Sequence, residues 1–180
     1  MAAPGRRRHT EIMTALSALN ILLVDDNQHM RIMVAAILKS AGCRKIREAS
    51  DGAAALETLR GKPCDLVIVD FNMFPLDGVE FTRLIRNSPD SDNRYLPIIM
   101  MTGHSEKSRV VEARDAGVTE FVVKPITASS LLGRIQAVIM RPRPFVKTGT
   151  YFGPDRRRRN TPGYNGPLRR AADNDIEPSY

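Results

Sequence analysis

Four short apolar runs, each stopping abruptly on a polar or charged residue, constrain this chain more than anything else in it. Ile21-Leu-Leu-Val24 stops at Asp25-Asp26, and Leu66-Val-Ile-Val69 stops at Asp70. Leu96-Pro-Ile-Ile-Met-Met101 stops at Thr102-Gly103, and Phe121-Val-Val123 stops at Lys124-Pro125. Runs of this length without polar alternation read as strands buried on both faces. Such strands belong to parallel sheets covered by helices, and open parallel sheets bind ligands at the carboxyl ends of their strands. The four runs therefore deliver three acids, a hydroxyl and an amine to one edge. A lone Asp at such a place reads best as a turn cap. The ordered set does not.

The segments between the runs carry helical periodicity. Residues 28–40 place Met30, Met33, Val34, Ile37 and Leu38 at helical spacing, a stripe read as core, and Gly42 ends that helix. Residues 51–60 start acidic and end basic, which complements a helix dipole. Further helices are predicted over 79–86, over 105–116 with Ser105 as cap, and over 127–140 with Thr127 as cap. Lys45-Ile-Arg-Glu-Ala49 is short and polar at alternate positions, as an edge strand is. Five βα units of this kind predict an α/β fold. Its expected form is a doubly wound, five-stranded parallel sheet of flavodoxin-like order 2-1-3-4-5 in a three-layer αβα arrangement.

A chain of 180 residues suits one such domain with extensions. The expected boundaries are an N-terminal extension over 1–19, the α/β domain over 20–140 and a tail over 141–180. Residues 20–140 balance 15 Lys/Arg against 15 Asp/Glu; residues 1–19 carry three Arg against Glu11, and 141–180 carry nine Lys/Arg against four acids. The net charge of +7 thus lies in the extensions, as +2 and +5. It bears on partners and not on the fold.

In the N-terminal extension Thr10 is placed to cap a short helix carrying Ile12, Leu16 and Leu19 on one face. The tail is rich in Gly, Pro, Arg, Asn and Tyr, which predicts an extended and largely disordered segment. Within it, Tyr151-Phe-Gly153-Pro154-Asp-Arg156-Arg157 recurs thirteen residues later as Tyr164-Asn-Gly166-Pro167-Leu-Arg169-Arg170. A solvated linker accounts for an Arg run. It does not account for an aromatic, a Gly-Pro turn and an Arg pair repeated in register, which points to two equivalent contacts. Nucleic acid or an anionic surface is one class of partner for such a tail. No apolar segment approaches the ~20 residues that span a bilayer. Arg6-Arg7-Arg8 precedes an apolar stretch without a small-residue cleavage site, and Cys43 and Cys64 read as reduced thiols, so the expected location is the cytoplasm.

Asp25, Asp26 and Asp70 at one edge would repel one another by about 4 kcal/mol per close pair at an effective dielectric near 20. A bound cation must offset them, and oxygen-only ligands point to Mg²⁺ or another hard divalent ion such as Mn²⁺. A divalent ion, the Lys124 amine and the Thr102 hydroxyl around one carboxylate make a site for a tetrahedral oxyanion. Asp70 is the candidate nucleophile, and its product would be an aspartyl phosphate.

These residues resemble the receiver domains of two-component response regulators, particularly the single-domain chemotaxis-regulator type, over about residues 20–140. The carrying motifs are Asp25-Asp26 after Ile-Leu-Leu-Val, Asp70 followed by Asp77-Gly78, Thr102-Gly103, and Phe121-Val-Val-Lys124-Pro125. The resemblance implies that Asp70 accepts phosphate from a phosphohistidine on a sensor histidine kinase or histidine phosphotransfer protein. It further implies that Asp26, Asp70 and the backbone carbonyl of Asn72 bind Mg²⁺, with Asp25 acting through water. Lys124 and Thr102 would grip the phosphoryl group, and Phe121 would be the switch aromatic that follows Thr102. Read without the resemblance, Phe121 is an ordinary core residue. His104 matches a position that tunes dephosphorylation, though a lone loop histidine is more often simply solvated. The implied output is a phosphorylation-dependent contact with a downstream protein, so the chain is a signalling switch and not an enzyme. One departure stands out: the family has proline directly after the loop methionine, whereas Met73 is followed here by Phe74 and then Pro75.

Overall fold

The computed structural model describes residues 14–91, 93–103, 109–156 and 177–179. Strands β1 (Asn20–Val24), β2 (Lys45–Ala49), β3 (Leu66–Asp70), β4 (Ile98–Thr102) and β5 (Glu120–Val123) form one parallel sheet. Its order is β2-β1-β3-β4-β5. Between and after the strands run α1 (Gln28–Ser40), α2 (Gly52–Leu59), α3 (Gly78–Asn87), α4 (Val110–Ala116) and α5 (Ala128–Met140). This is the doubly wound, flavodoxin-like architecture the apolar runs predict.

Alternation along the strands divides the core in two. Leu22, Val24, Val67, Val69, Ile98 and Met100 pack against α2, α3 and α4. Ile21, Leu23, Leu66, Ile68, Ile99 and Met101 pack against α1 and α5. Both faces of the central strands are therefore dry, which explains their unbroken apolar sequence. The edge strand β2 keeps only Ala49 buried, in line with its polar alternation. Side-chain caps start the helices: Asn27 accepts from the His29 and Met30 amides, and Asp77 and Thr127 each form a capping box.

Three local expectations need correction or fall outside the description. Met33 is 38% exposed and not core, because Val34, Ala35 and Leu38 carry the buried face of α1. Helix α4 starts at Val110, after Arg109, while Ser105 lies outside the described residues. Residues 14–18 are helical and bury Leu16, whereas Thr10 and Ile12 lie outside the described residues.

The largest difference lies beyond residue 140. The tail does not begin as a disordered segment. Phe145–Lys147 (β6) pairs antiparallel with Phe152–Pro154 (β7), and Glu177–Ser179 (β8) pairs with the other edge of β6. The hairpin is docked by aromatic and guanidinium groups. Tyr95, Phe145 and Phe152 form one cluster with ring centroids 5.2–5.6 Å apart. The Arg86 guanidinium lies 5.0 Å from the Phe145 ring and that of Arg94 lies 4.4 Å from Phe152. Arg86 is wholly buried, with Nε donating to the Gly117 carbonyl at 3.1 Å and Nη1 to the Arg94 carbonyl at 2.9 Å.

Gly117 ends α4 with φ of +101°, and a Cβ there would lie 3.0 Å from the Phe152 carbonyl. Only glycine satisfies both demands. In the first repeat Tyr151 donates to the Pro154 carbonyl at 2.8 Å, while Arg156 stacks on Tyr151 and reaches Asp115 at 3.1 Å. Aromatic burial is what a composition reading of the tail misses: the rings of Phe145 and Phe152 are held by Tyr95, Arg86 and Arg94, all distant in the sequence. The second repeat, Tyr164 to Arg170, lies outside the described residues.

Phe152→Ala should lower the unfolding free energy of the full chain by about 3–5 kcal/mol, the usual cost of deleting a buried ring. Urea unfolding followed by circular dichroism measures it, and an unchanged midpoint would mean that the hairpin is not docked in solution.

Candidate functional site

Strand register assembles the site. Val24 of β1 lies opposite Val69 of β3, so Asp25 and Asp70 stand level, one residue further on. Alternation turns both toward the side of α1 and α5, since Ile21, Leu23, Leu66 and Ile68 already face that way. Lys124, two residues after Val122, shares that side. Thr102 and Phe121 fall on the opposite side, with Met100 and the cluster against which Phe121 packs half-buried.

The acids meet as expected. One carboxylate oxygen from each of Asp25, Asp26 and Asp70 lies within 4.8 Å of the others. Asp25 has no exposure and Asp70 has 5%, while Asp26 is exposed. Lys124 Nζ contacts Asp70 Oδ1 at 2.7 Å and stands 4.0 Å from Asp25 Oδ2. Asp25 Oδ1 accepts from the Asn27 amide at 2.8 Å. Its Oδ2 is buried with no hydrogen-bond partner.

Burial raises the Asp70 pKa from 3.8 to about 6; the Lys124 hydrogen bond and charge oppose that rise, and Asp25 adds to it. Asp25 is raised as well, again chiefly by burial, against the Asn27 amide and Lys124. One amine cannot balance three carboxylates. An orphaned buried carboxylate oxygen among all-oxygen donors fits a hard divalent cation.

The remaining predicted residues fall nearby. Thr102 is buried at the end of β4, opposite Val123, and its carbonyl accepts from the Lys124 amide at 2.7 Å. Asn72 is exposed in the loop that follows Phe71. His104 lies outside the described residues. The displaced proline has a visible counterpart: Met73 is buried, while the additional aromatic, Phe74, stands 84% exposed.

Two further residues shape the site: Gly78, legible in the sequence only as half of the Asp77-Gly78 motif, and Arg109, which carries no plain sequence signal. Gly78 donates its amide to the Phe71 carbonyl at 3.1 Å, and a Cβ there would collide with the carbonyl of Asp70 itself. Arg109 lays its guanidinium 4.6 Å from the Phe71 ring and pairs with Asp77 Oδ2 at 3.2 Å. That pair spans 32 residues, which no local pattern reveals. A cleft of about 180 Å³ lined by Leu56, Leu59, Cys64, Leu84, Ile85 and Leu96 lies between α2 and α3, away from the acids.

The response regulator receiver domain model matches residues 21–136. This chain belongs to that family. The receiver is 34% identical over 123 residues to the chemotaxis protein CheY-3 of Vibrio cholerae serotype O1, a match covering 68% of this chain and 93% of that protein. It is equally similar, 34% over 123 residues, to CheY of Pseudomonas aeruginosa, covering 98% of that protein. Among solved structures it resembles CheY4 of Vibrio cholerae, at 33% identity and a TM-score of 0.60 over 66% of this chain and 96% of that one. It also resembles the receiver domain of the sensor histidine kinase PA1611 from Pseudomonas aeruginosa PAO1, at 29% identity and a TM-score of 0.61 over 68% and 98% of the two chains. In that structure a magnesium ion is coordinated in the active site cleft. The family match ends before the docked hairpin, which lies outside what this receiver shares with the family model.

The raised Asp70 pKa carries a sign for stability. A carboxyl group that holds its proton more tightly when folded favours folding fully below its ordinary pKa, and that contribution is lost as pH rises through about 6. In chelator, Asp70→Asn should therefore match the wild type near pH 4 and exceed it at pH 8 by on the order of 2–3 kcal/mol. Urea unfolding at the two pH values measures the gap, and a gap that does not widen with pH would remove burial as the dominant influence on Asp70.

Proposed function

We propose that this receiver takes a phosphoryl group onto Asp70 from a phosphohistidine of a sensor histidine kinase or histidine phosphotransfer protein. It then signals through a phosphorylation-dependent contact with a downstream protein. The observation that carries this reading is the Asp70 carboxylate, held 2.7 Å from Lys124 beside Asp25 and Asp26 at the sheet edge. An Asp70 oxygen attacks phosphorus in line, the P–O bond forms as the P–N bond breaks, and the imidazole departs with the bonding pair. Such transfer depends on position and charge more than on covalent activation.

Asp25, Asp26, Asp70 and the backbone carbonyl of Asn72 would hold Mg²⁺ or Mn²⁺, whose charge would offset both the carboxylates and the incoming phosphoryl oxygens. Lys124 binds the phosphoryl group from the α1/α5 side. Thr102 supplies a hydroxyl from the adjoining strand, and its shared face with Phe121 supports a coupled movement of the two. Receivers are signalling switches and are not classed as enzymes. We place the protein in the cytoplasm, beside the phosphohistidine donor proposed for it; among the described residues no helix is long and apolar enough to cross a membrane.

The alternative of a nucleic-acid or anionic-surface binder rests on the +5 tail. It is weakened by the first repeat, whose Tyr151 and Arg156 are engaged with each other and with Asp115.

Incubation with acetyl phosphate and Mg²⁺ should give one base-labile adduct on the wild type and none on Asp70→Asn, and chelation should suppress it. An adduct that survives the substitution or ignores the chelator overturns the assignment. Thr102→Ala should still be modified at Asp70 yet lose most of the phosphorylation-dependent gain in partner binding, because its contact biases a two-state equilibrium only once phosphate is present. A pull-down with and without acetyl phosphate checks this, and a normal gain would remove Thr102 from the switch.

A further inference from the structure

The feature that the family reading leaves unused is the docked hairpin and the arginine that joins it to the sheet. Strand β5 is an edge strand, bonded to β4 alone. Its carboxyl end carries the lysine that meets Asp70. An edge strand of four residues has little to fix its position, and fraying at either end is its default.

The amino end of β5 is held from the hairpin side. Arg143, in the link between α5 and β6, donates through Nη2 to the Thr119 carbonyl, and the same nitrogen lies 3.8 Å from Glu120 Oε1. Its Nη1 donates to the Asp155 carbonyl at 3.1 Å, beyond β7. The Asp155 amide in turn donates to the Pro144 carbonyl at 2.8 Å, which closes the base of the hairpin around the guanidinium. Arg134 of α5 reaches the other Glu120 oxygen at 3.3 Å. Thr119 is anchored to β4 as well, through its amide to the Ile98 carbonyl at 2.9 Å and its hydroxyl from the Ile98 amide at 3.0 Å. One planar fork therefore bonds the hairpin and the edge strand at once, a task the single ammonium of lysine performs less completely.

We propose that Arg143 is a positioning residue for phosphoryl transfer: it fixes the amino end of β5 against the hairpin and thereby sets where Lys124 stands at Asp70. The strand between them is short and extended, roughly 16 Å from Thr119 to Lys124. A shift at one end is carried along a bonded strand to the other. The inference rests on the proposed role of Asp70 as acceptor. It gives the C-terminal hairpin, which lies outside the family match, a part in the chemistry of the opposite edge.

The test is a double-mutant cycle on the full chain. Arg143→Met keeps the length of the side chain and removes every donor. Its uptake of phosphate from acetyl phosphate should fall about three- to tenfold, the scale expected when a catalytic group is slightly misplaced. In a Lys124→Ala background the same substitution should change the rate little, because the residue through which it acts is gone. Arg143→Lys, which keeps a donor for the Thr119 carbonyl, should recover most of the loss. Hydrogen exchange at the Lys124 amide should rise in Arg143→Met. An equal loss in both backgrounds, or no loss while the wild type is modified normally, overturns the inference and leaves Asp70 as acceptor intact. Absence of any adduct on the wild type overturns the proposed function, and this inference with it.

Discussion

Two carboxylates buried side by side under a single amine are the constraint to which the rest of the molecule answers. Asp25 and Asp70 sit level at the ends of adjacent central strands, and a buried charge is tolerated only when something compensates it. Lys124 supplies part of that compensation at 2.7 Å from Asp70, and Asp25 Oδ2 is left without a hydrogen bond. A single amine leaves two of the three carboxylate charges at this edge unbalanced, and a divalent cation is the group whose charge would match them.

The loops around this edge are shaped by close approach. Gly78 lies against the carbonyl of Asp70, which leaves no room for a side chain between the turn into α3 and the end of β3. Arg109 bridges the start of α4 to Phe71 and Asp77, which ties the β4–α4 side of the site to the β3–α3 side. The two faces of the sheet then divide the labour. Asp25, Asp70 and Lys124 lie toward α1 and α5, and Thr102 and Phe121 toward α2, α3 and α4. The charged side chains thus end on one face, and the hydroxyl and the aromatic on the other.

Most of this was legible in the chain. The strands were readable because both faces are buried, so their sequences carry no polar interruption. The acids and the lysine were readable because they end those strands, where an apolar residue would be the cheaper choice. Met33 misled because the buried face of α1 is carried by Val34, Ala35 and Leu38, so only two of the five apolar residues read at helical spacing are fully covered. Residues 145–154 misled for the opposite reason. Glycine, proline and arginine there resemble a solvated linker, yet Phe145 and Phe152 stack with Tyr95, and Arg86 and Arg94 lie over their rings. Cation–π and edge-to-face contacts between distant segments have no local periodicity, so composition cannot reveal them.

The ion pair of Arg156 with Asp115 settles at which pole of the sheet the first Tyr-Phe-Gly-Pro repeat is anchored. Asp115 closes α4, and α4 runs back from the acidic edge toward the amino ends of the strands. Arg156 therefore stands at one pole of the sheet, while Asp70 opens at the other, a strand length of about 15 Å away. A partner docked over the acids would approach from the pole opposite to the hairpin. Geometry of that kind leaves the hairpin uncovered while the acids are engaged, so the two ends of the sheet need not compete.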